Sequence, residues 1–372
     1  MKDNIIVLYG GKSVEHDVSI ITGLQVLENI DYKKHNVIPV YISRNGEWQI
    51  LKDYKNIESY KSKDIKKQKV TLISGSPYLA YNGILGYRKK VKISCAVLCT
   101  HGTNCEDGAL QGLLQSSMIA YTGCGILSSA IGMDKVVMKD LFVANKIPCV
   151  KYIELNKFDY YKCCIDNTLN SINLKYPLIV KPSNLGSSVG INKCTCKGEL
   201  KLALDIAFQY DTRVIVEELV QNMREINCSV MGDGNYCTYS NLEEPMGWKD
   251  FLTFDDKYIL GKKKQSEKNL KLDKKTKTEI KKLALKVFKT FKCSGVVRID
   301  FMIDNNTKQV YVNEINTIPG SLSFYLWKHD FKTHIEELIQ IAKNEFKNKN
   351  ELLYDYNSKC LDNYESGQKL KK

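Results

Sequence analysis

Four side chains of complementary chemistry lie on two neighbouring segments of the sequence. Arg298 and Asp300 are two positions apart on one β-like run, and Glu314 and Asn316 are two positions apart on the next. Side chains two apart on a strand share a face. Two carboxylates and an amide oxygen on that face suit a Mg²⁺ ion that bridges nucleotide phosphates, and the arginine could stabilise a developing oxyanion. Surface charges on an antiparallel hairpin give the same pattern, so the pattern alone leaves both interpretations open.

A glycine- and serine-rich turn at residues 183–190 follows the apolar run 178–180. Glycines let backbone N–H groups approach an anion, the serines add donors, and Lys181 adds a point charge. The turn is therefore a candidate loop for closing over phosphate, although a purely structural turn has the same composition.

A second glycine turn, Gly10-Gly11-Lys12-Ser13, looks like the end of a Walker A motif. That motif requires a glycine where this sequence has Ile6. We therefore exclude a Walker A loop.

Strand-like and helix-like segments alternate in the first half of the sequence. Residues 5–9, 37–42 and 96–100 read as strands, and residues 19–29 read as a helix. This alternation is typical of a parallel sheet flanked by helices. Such sheets hold ligands at the carboxyl ends of their strands, which is where His101 stands.

The rest of the chain continues in mixed elements. Residues 51–92 are polar, and we expect irregular structure there with a weak hairpin signal at 81–83. We expect further helices at 109–115, 134–145 and 276–291, and further strands at 178–180, 214–216, 296–303 and 310–315.

The composition is that of a globular protein with two or three domains in 372 residues. Hydrophobic residues at 43% and charged residues at 26% indicate neither disorder nor a membrane protein. The first apolar run is too short for a signal peptide, and no run is long enough to span a membrane. The thirteen cysteines are odd in number and follow no signal peptide, so we expect reduced thiols and a cytoplasmic protein. They also show no zinc-type pairing.

The net charge of +13 raises the alternative of a nucleic-acid partner. The excess is mostly lysine, in the runs 61–69, 262–282 and 369–372. Lysine runs are usually solvated surface, whereas arginine is the preferred reader of bases and phosphates. We therefore expect no nucleic-acid partner and keep a basic nucleic-acid-binding protein as the remote alternative.

Six short motifs follow one another between residue 5 and about residue 327: Gly10-Gly11-Lys12-Ser13-Val14-Glu15-His16-Asp17-Val18-Ser19, His101-Gly102-Thr103-Asn104-Cys105-Glu106-Asp107-Gly108 with Gln111-Gly112, Tyr121-Thr122-Gly123, Met133-Asp134-Lys135, Gly186-Ser187-Ser188-Val189-Gly190 and Asn313-Glu314-Ile315-Asn316-Thr317. In this order they resemble the D-alanine:D-alanine ligases of the ATP-grasp superfamily. The resemblance covers nearly the whole chain.

The resemblance implies an α/β fold of the ATP-grasp type with three domains. Residues 1–123 would form an N-terminal substrate domain with an open parallel α/β sheet. Residues 124–217 and 218–348 would form two α+β subdomains that hold the nucleotide between them, the second of which carries the magnesium and catalytic residues. Residues 349–372 would be a basic polar tail.

For the first substrate, the resemblance makes Glu15 the carboxylate that holds the ammonium group. Ser187 and Tyr258 would orient this carboxylate, and His101 would lie beside the substrate. Without the resemblance, helix capping at loop ends is the alternative explanation for Glu15 and His101.

The resemblance also makes Asp300, Glu314 and Asn316 the Mg²⁺ ligands, with Mn²⁺ as a possible replacement. Arg298 and the backbone N–H of Gly320 would form the oxyanion site. The implied ATP-binding residues are Lys135, Lys181, Ser188, Glu217, Glu218, Val220, Glu225 and Lys257.

The implied reaction is the ATP-dependent ligation of two D-alanine molecules, through an acyl phosphate, for a peptidoglycan precursor. The implied partners are D-amino acids, and a homodimer is possible because many relatives are dimers. An acyl phosphate hydrolyses readily, so we expect the loop at 186–190 and a second lid at 241–271 to exclude water.

The sequence departs from the family pattern in the second-substrate subsite. Tyr325 and Leu326 stand where the family has a serine and a leucine that hold the second carboxylate. A D-alanine:D-serine ligase, or another dipeptide ligase of the family, is therefore the alternative. Whether Tyr325 or the neighbouring Ser323 takes the carboxylate is open at this point.

Overall fold

The structure is a computed structural model that describes residues 2–61, 66–162, 173–245, 264–265, 270–354 and 356. Within them lie three β-sheets. The first sheet contains the apolar N-terminal run as its strand β1 (Asp3–Gly10), which is almost entirely buried. This strand pairs in parallel with β2 (His35–Ile42) on one side and with β7 (Cys95–Leu98) on the other, and β8 (Ala120–Tyr121) continues the parallel part beyond β7.

Beyond β2 the first sheet becomes antiparallel. Its added strands are β3 (Trp48–Leu51), β4 (Lys67–Leu72), β5 (Tyr78–Gly83) and β6 (Gly86–Lys92). Our expectation of irregular structure at 51–92 is therefore wrong, apart from the hairpin, which joins β5 to β6. Strand β6 is exposed along most of its length, so its residues lack the apolar alternation by which a strand is recognised.

The second and third sheets are antiparallel. The second has the order β11-β10-β12-β9, and the third has the order β15-β14-β13-β16-β17. Their strands are β9 (Tyr152–Asn156), β10 (Leu178–Pro182), β11 (Asn192–Cys194), β12 (Arg213–Glu218), β13 (Met223–Gly232), β14 (Cys237–Pro245), β15 (Lys264–Gln265), β16 (Gly295–Asp304) and β17 (Val310–Asn316).

Three of the described α-helices begin at a side-chain cap. The side chains of Asp134, Asp273 and Asp330 each accept a backbone N–H in the first turn of the helix that follows. The described α-helices are α1 (His16–Asn29), α2 (Ala109–Ser116), α3 (Ile126–Met133), α4 (Lys135–Ala144), α5 (Lys157–Lys162), α6 (Lys197–Ala207), α7 (Lys274–Thr290) and α8 (Phe331–Asn350).

Two helices pack away from their neighbours in sequence. The apolar face of α8, with Phe331 and Ile335, belongs to the same buried cluster as β1, and Glu336 pairs with His35 at 2.9 Å. Met138 and Phe142 of α4 pack into the core of the third sheet. The C-terminal helix therefore ties the third sheet back to the first.

The predicted α/β class is confirmed. The ten cysteines in the described parts of the chain are free thiols. None of the described helices has the length and apolar character needed to cross a membrane.

Candidate active site

The antiparallel pair β16 and β17 brings the four residues of complementary chemistry together. Asp300 lies opposite Glu314, and Arg298 lies opposite Asn316. The Nε and Nη2 atoms of Arg298 each donate to an Asp300 oxygen at 2.7 Å. Asn316 donates from Nδ2 to Asp300 Oδ2 at 3.1 Å. The shared face predicted from the two-residue spacing is thus present.

Arg298 stays charged in this setting. Burial lowers the pKa of its guanidinium, but the paired Asp300 carboxylate raises it more, so the pKa lies well above its usual value. A permanent positive charge next to the cavity is suited to holding a developing negative charge.

The donor set of Asp300, Glu314 and Asn316 fits a hard divalent cation. Its members offer carboxylate and amide oxygens, and the Asp300 carboxylate, which accepts three hydrogen bonds from Arg298 and Asn316, still has a lone pair for a metal. In the described residues, no group of three His, Cys, Asp or Glu side chains forms a metal site.

Glu15 lies where the turn after β1 meets two other loops. Its carboxylate is 8% exposed and accepts a very short hydrogen bond from Ser187 Oγ. A side chain at Gly102 or at Gly186 would place its Cβ 2.7 Å from Glu15 Oε2. The two glycines therefore let both loops close around this carboxylate. Tyr258, the third residue implied to act here, lies outside the described residues.

His101 follows β7 and is buried beside Glu15. Its Nδ1 lies 2.8 Å from the carbonyl oxygen of Ile318, and its Nε2 lies 2.9 Å from Thr22 Oγ1. Burial lowers the pKa of the imidazole, although the Glu15 charge opposes this shift. The neutral ring therefore carries its proton on Nδ1, because a carbonyl oxygen only accepts.

Glu106 is a cavity residue to which we assigned no role from the sequence. Its Oε1 accepts the N–H of Ile318 at 2.9 Å, and its Oε2 accepts the N–H of Gly102 at 3.3 Å. Burial, and then the charge of Glu15, raise the pKa of Glu106 to about 7. Glu106 belongs to the motif at residues 101–108, which is one of the motifs that carry the resemblance to the family. Its place in that motif was the signal by which the sequence could have identified it.

A buried charge cluster lies at the boundary of the second sheet. Glu217 Oε2 accepts from Lys181 at 2.8 Å, and Glu217 Oε1 lies 3.3 Å from Lys139 Nζ. Burial alone would raise the pKa of Glu217, but Lys139 and Lys181 together lower it to about 2. Lys139 was missed from the sequence, although it lies one helical turn from Lys135.

Lys135 is oriented differently from the other two lysines. Its Nζ donates to the carbonyl oxygen of Leu185 at 2.7 Å, and burial lowers its pKa. It lies beside the turn at 183–190, so it can contact a phosphate enclosed by that turn. Lys257, the third lysine implied to bind ATP, lies outside the described residues.

Two adjoining cavities are lined by the implied residues. The larger, of about 330 Å³, contains Glu15, His101, Arg298, Glu314 and the Gly320 backbone in its wall. The smaller lies between the second and third sheets, and its polar lining includes Lys181, Ser188, Glu217, Glu218 and Glu225. Val220 and the apolar side chains Ile179, Ile191, Leu219, Met223 and Met302 complete the smaller cavity.

Residues 320–326 form an unusual turn after β17. Ser321, Leu322 and Ser323 are all left-handed, with φ between 49° and 53°. Tyr325 lines the larger cavity, and Ser321 does so as well. Ser323 is fully buried outside the cavity wall, and Leu326 is also buried.

The chain matches two family models in succession. Residues 4–124 match the model described as D-ala D-ala ligase N-terminus, and residues 141–341 match D-ala D-ala ligase C-terminus. It is 38% identical over 369 residues to a D-alanine–D-alanine ligase of Thermosipho africanus, covering 96% of this chain and 98% of that one. It is 41% identical over 363 residues to the enzyme of that name from Thermosipho melanesiensis, covering 95% and 97%.

Solved structures agree with these matches. The D-alanine–D-alanine ligase of Coxiella burnetii superposes with a TM-score of 0.79 at 27% identity, covering 94% of this chain and 96% of that one. The VanG D-Ala:D-Ser ligase of Enterococcus faecalis superposes with a TM-score of 0.78 at 28% identity, covering 92% and 100%. The chain therefore belongs to the D-alanine–D-alanine ligase family and is an ATP-dependent ligase of the ATP-grasp fold.

Proposed function

We propose that this chain joins two D-alanine molecules, at the expense of ATP, to supply a peptidoglycan precursor. One observation carries the proposal: the side chains of Glu15 and Arg298 line the same cavity. A carboxylate for an ammonium group and a cation for an oxyanion then face one reaction space. The family membership supports this assignment.

In the first step, the substrate carboxylate would attack the γ-phosphorus of ATP and form an acyl phosphate, with ADP leaving. Glu15 holds the substrate ammonium, and Ser187 orients Glu15 through the short hydrogen bond. Lys135 and Lys181 would neutralise phosphate charge, which is the main contribution a protein makes to phosphoryl transfer. A Mg²⁺ ion held by Asp300, Glu314 and Asn316 would supply further charge neutralisation there.

In the second step, the amine of the second amino acid would attack the acyl carbon, and phosphate would leave. Arg298 and the backbone N–H of Gly320 would stabilise the tetrahedral oxyanion. Both groups line the larger cavity, and the guanidinium is fixed in place by its two hydrogen bonds to Asp300. A preorganised charge of this kind favours the transition state over the bound substrate.

A second candidate is the ligation of D-alanine to D-serine. Tyr325, and not Ser323, lies in the cavity wall at the expected second subsite. Its phenol is longer and bulkier than the serine of the family pattern, so the carboxylate of the second substrate would sit differently. The likeness to the VanG D-Ala:D-Ser ligase makes D-serine the first alternative to test.

We also propose a domain division close to the one expected. The strands of the first sheet all fall within 1–123, those of the second within 124–217 apart from the last residue of β12, and those of the third within 218–348. We propose a cytoplasmic enzyme that can form homodimers and has no nucleic-acid partner.

The test is ADP release with D-alanine, L-alanine and D-serine, together with mass spectrometry of the products. We expect turnover only with D-amino acids and a dipeptide product. Arg298→Gln should lose turnover, whereas Arg88→Gln, at an exposed position on β6, should keep it. Purified wild-type protein that releases no ADP in response to any D-amino acid would refute the proposal.

A further inference from the structure

The residues on either side of Gly320 are held by side chains from the first sheet's domain. We call residues 317–321 the oxyanion loop. Ile318 is bound at both backbone groups, by Glu106 at its N–H and by His101 at its carbonyl oxygen. On the other side of Gly320, the N–H of Ser321 donates to Thr22 Oγ1 at 3.2 Å.

Thr22 and His101 complete a chain of hydrogen bonds with one possible direction. Because His101 Nδ1 donates to the Ile318 carbonyl, the neutral ring can only accept at Nε2. The Thr22 hydroxyl must therefore donate its proton to Nε2 over 2.9 Å. Its oxygen then accepts the N–H of Ser321, since the one hydroxyl proton is already used.

These hydrogen bonds form a ring around the backbone N–H of Gly320, the proposed oxyanion donor. It runs from Ser321 through Thr22 and His101 to Ile318, and Gly320 lies between the two ends. Thr22 itself is 1% exposed, on α1, and is not part of the cavity wall. It therefore cannot touch the substrate and can act only through His101 and the loop.

We propose that Thr22 is a positioning residue, whose hydroxyl fixes the oxyanion loop and the orientation of the His101 ring for the reaction. This inference rests on the proposed function, because the loop is assigned its role there. A buried hydroxyl that satisfies one donor and one acceptor at once leaves both unpaired when it is removed. Small displacements of an oxyanion donor lower the rate of the chemical step more than they change substrate binding.

The experiment compares Thr22→Val, which removes the hydroxyl at similar volume, with Thr22→Ser, which keeps it. We expect kcat to fall about tenfold or more in Thr22→Val, with KM for ATP unchanged, and to recover to within about threefold in Thr22→Ser. Thr122→Val is the matched control, because its buried hydroxyl also accepts a backbone N–H, that of Leu98 at 3.0 Å. The control should keep its kcat.

Two further measurements report on these hydrogen bonds and do not depend on enzymatic turnover. Amide hydrogen exchange at Ser321 should accelerate in Thr22→Val, and the ¹⁵N chemical shifts of His101 should show loss of the hydrogen bond at Nε2. If the wild type proved inactive with D-amino acids, these readouts would still test the chain of bonds. Should Thr22→Val not fold, Thr22→Ala replaces it. Unchanged kcat and exchange in the hydroxyl-free variant, or equal losses in Thr22→Ser, would overturn the proposal.

Discussion

The carboxylate of Glu106 accepts the backbone N–H of Ile318, a residue 212 positions further along the chain, at 2.9 Å. The bond joins the loop after β7 to the loop after β17. Because this carboxylate is buried beside Glu15, its protonation is linked to the stability of the folded protein.

Glu106→Gln should change how stability depends on pH. The pKa of Glu106 is about 7 in the folded protein and 4.5 as its ordinary value. A raised carboxyl pKa favours folding below pH 4.5, and this contribution is lost as the pH rises through 7. We therefore expect the wild type to lose on the order of 3 kcal/mol relative to Glu106→Gln across that interval.

Denaturant titrations of both proteins between pH 5 and 8 measure this difference. It should change most between pH 5 and 7 and then level off. A constant difference over the whole range would show that Glu106 does not titrate there.

Lys139→Met tests the buried charge cluster. The change leaves Glu217 with one of its two lysines, and we expect the free energy of unfolding to fall by about 3 kcal/mol. The pKa of Glu217 should rise, since Lys139 helps to lower it. Adding Glu217→Gln should recover part of the loss, because the two side chains interact directly. Strict additivity in this double-mutant cycle would contradict the coupling.

Gly186→Ala tests the close approach of the serine-rich turn to Glu15. The new Cβ would lie 2.7 Å from Glu15 Oε2, so the turn or the carboxylate must move. We expect KM for the first D-alanine to rise about tenfold, equivalent to about 1.4 kcal/mol. Gly198→Ala is the control, because a Cβ there meets open space in α6. Equal kinetics in the two variants would show that the turn does not need to approach Glu15.

Glu314→Gln tests the proposed metal site. The amide keeps the shape of the side chain and removes one of the two proposed anionic ligands, so turnover should fall at least ~100-fold with the fold intact. Glu58→Gln, at an exposed ion pair with Lys61, serves as the control. ADP release is measured across a Mg²⁺ titration. Near wild-type release at saturating Mg²⁺ would remove Glu314 from the site.

Local patterns predicted the strands that carry the cluster. Arg298, Asp300, Glu314 and Asn316 stand in strands whose intervening residues are apolar and buried, so the two-residue period is visible in the sequence. The exposed strand β6 has no such period, and only the weak hairpin signal at 81–83 indicated it.

Other features depend on contacts that a single sequence does not reveal. In the sequence alone, Lys139 resembles a solvated surface lysine. Only the fold shows that the second sheet brings Glu217 beside it. Thr22 and Glu106 gain their roles from the oxyanion loop, which lies in a distant part of the chain. The return of α8 to the first sheet is likewise a consequence of tertiary packing.

Tyr325 provides the last test, which concerns the second amino acid. The side chain lines the larger cavity together with Arg298, the proposed oxyanion donor. A phenol places its oxygen several bonds further from the backbone than a serine does, so a D-alanine carboxylate must shift to reach it. One hydrogen bond to a charged group contributes roughly 1.5–3 kcal/mol, or about a ten- to hundredfold change in affinity.

We therefore expect Tyr325→Ser to change the preference between D-alanine and D-serine as the second substrate. Tyr325→Phe distinguishes an effect of the hydroxyl from an effect of the bulk of the ring, because it keeps the ring and removes the hydroxyl. If the hydroxyl binds the carboxylate, Tyr325→Phe should raise KM for the second substrate by about tenfold or more while KM for ATP stays constant. If only the bulk of the ring matters, Tyr325→Phe should behave as the wild type and Tyr325→Ser alone should alter the preference. KM values for both second substrates that are unchanged in both variants would show that Tyr325 does not shape the subsite.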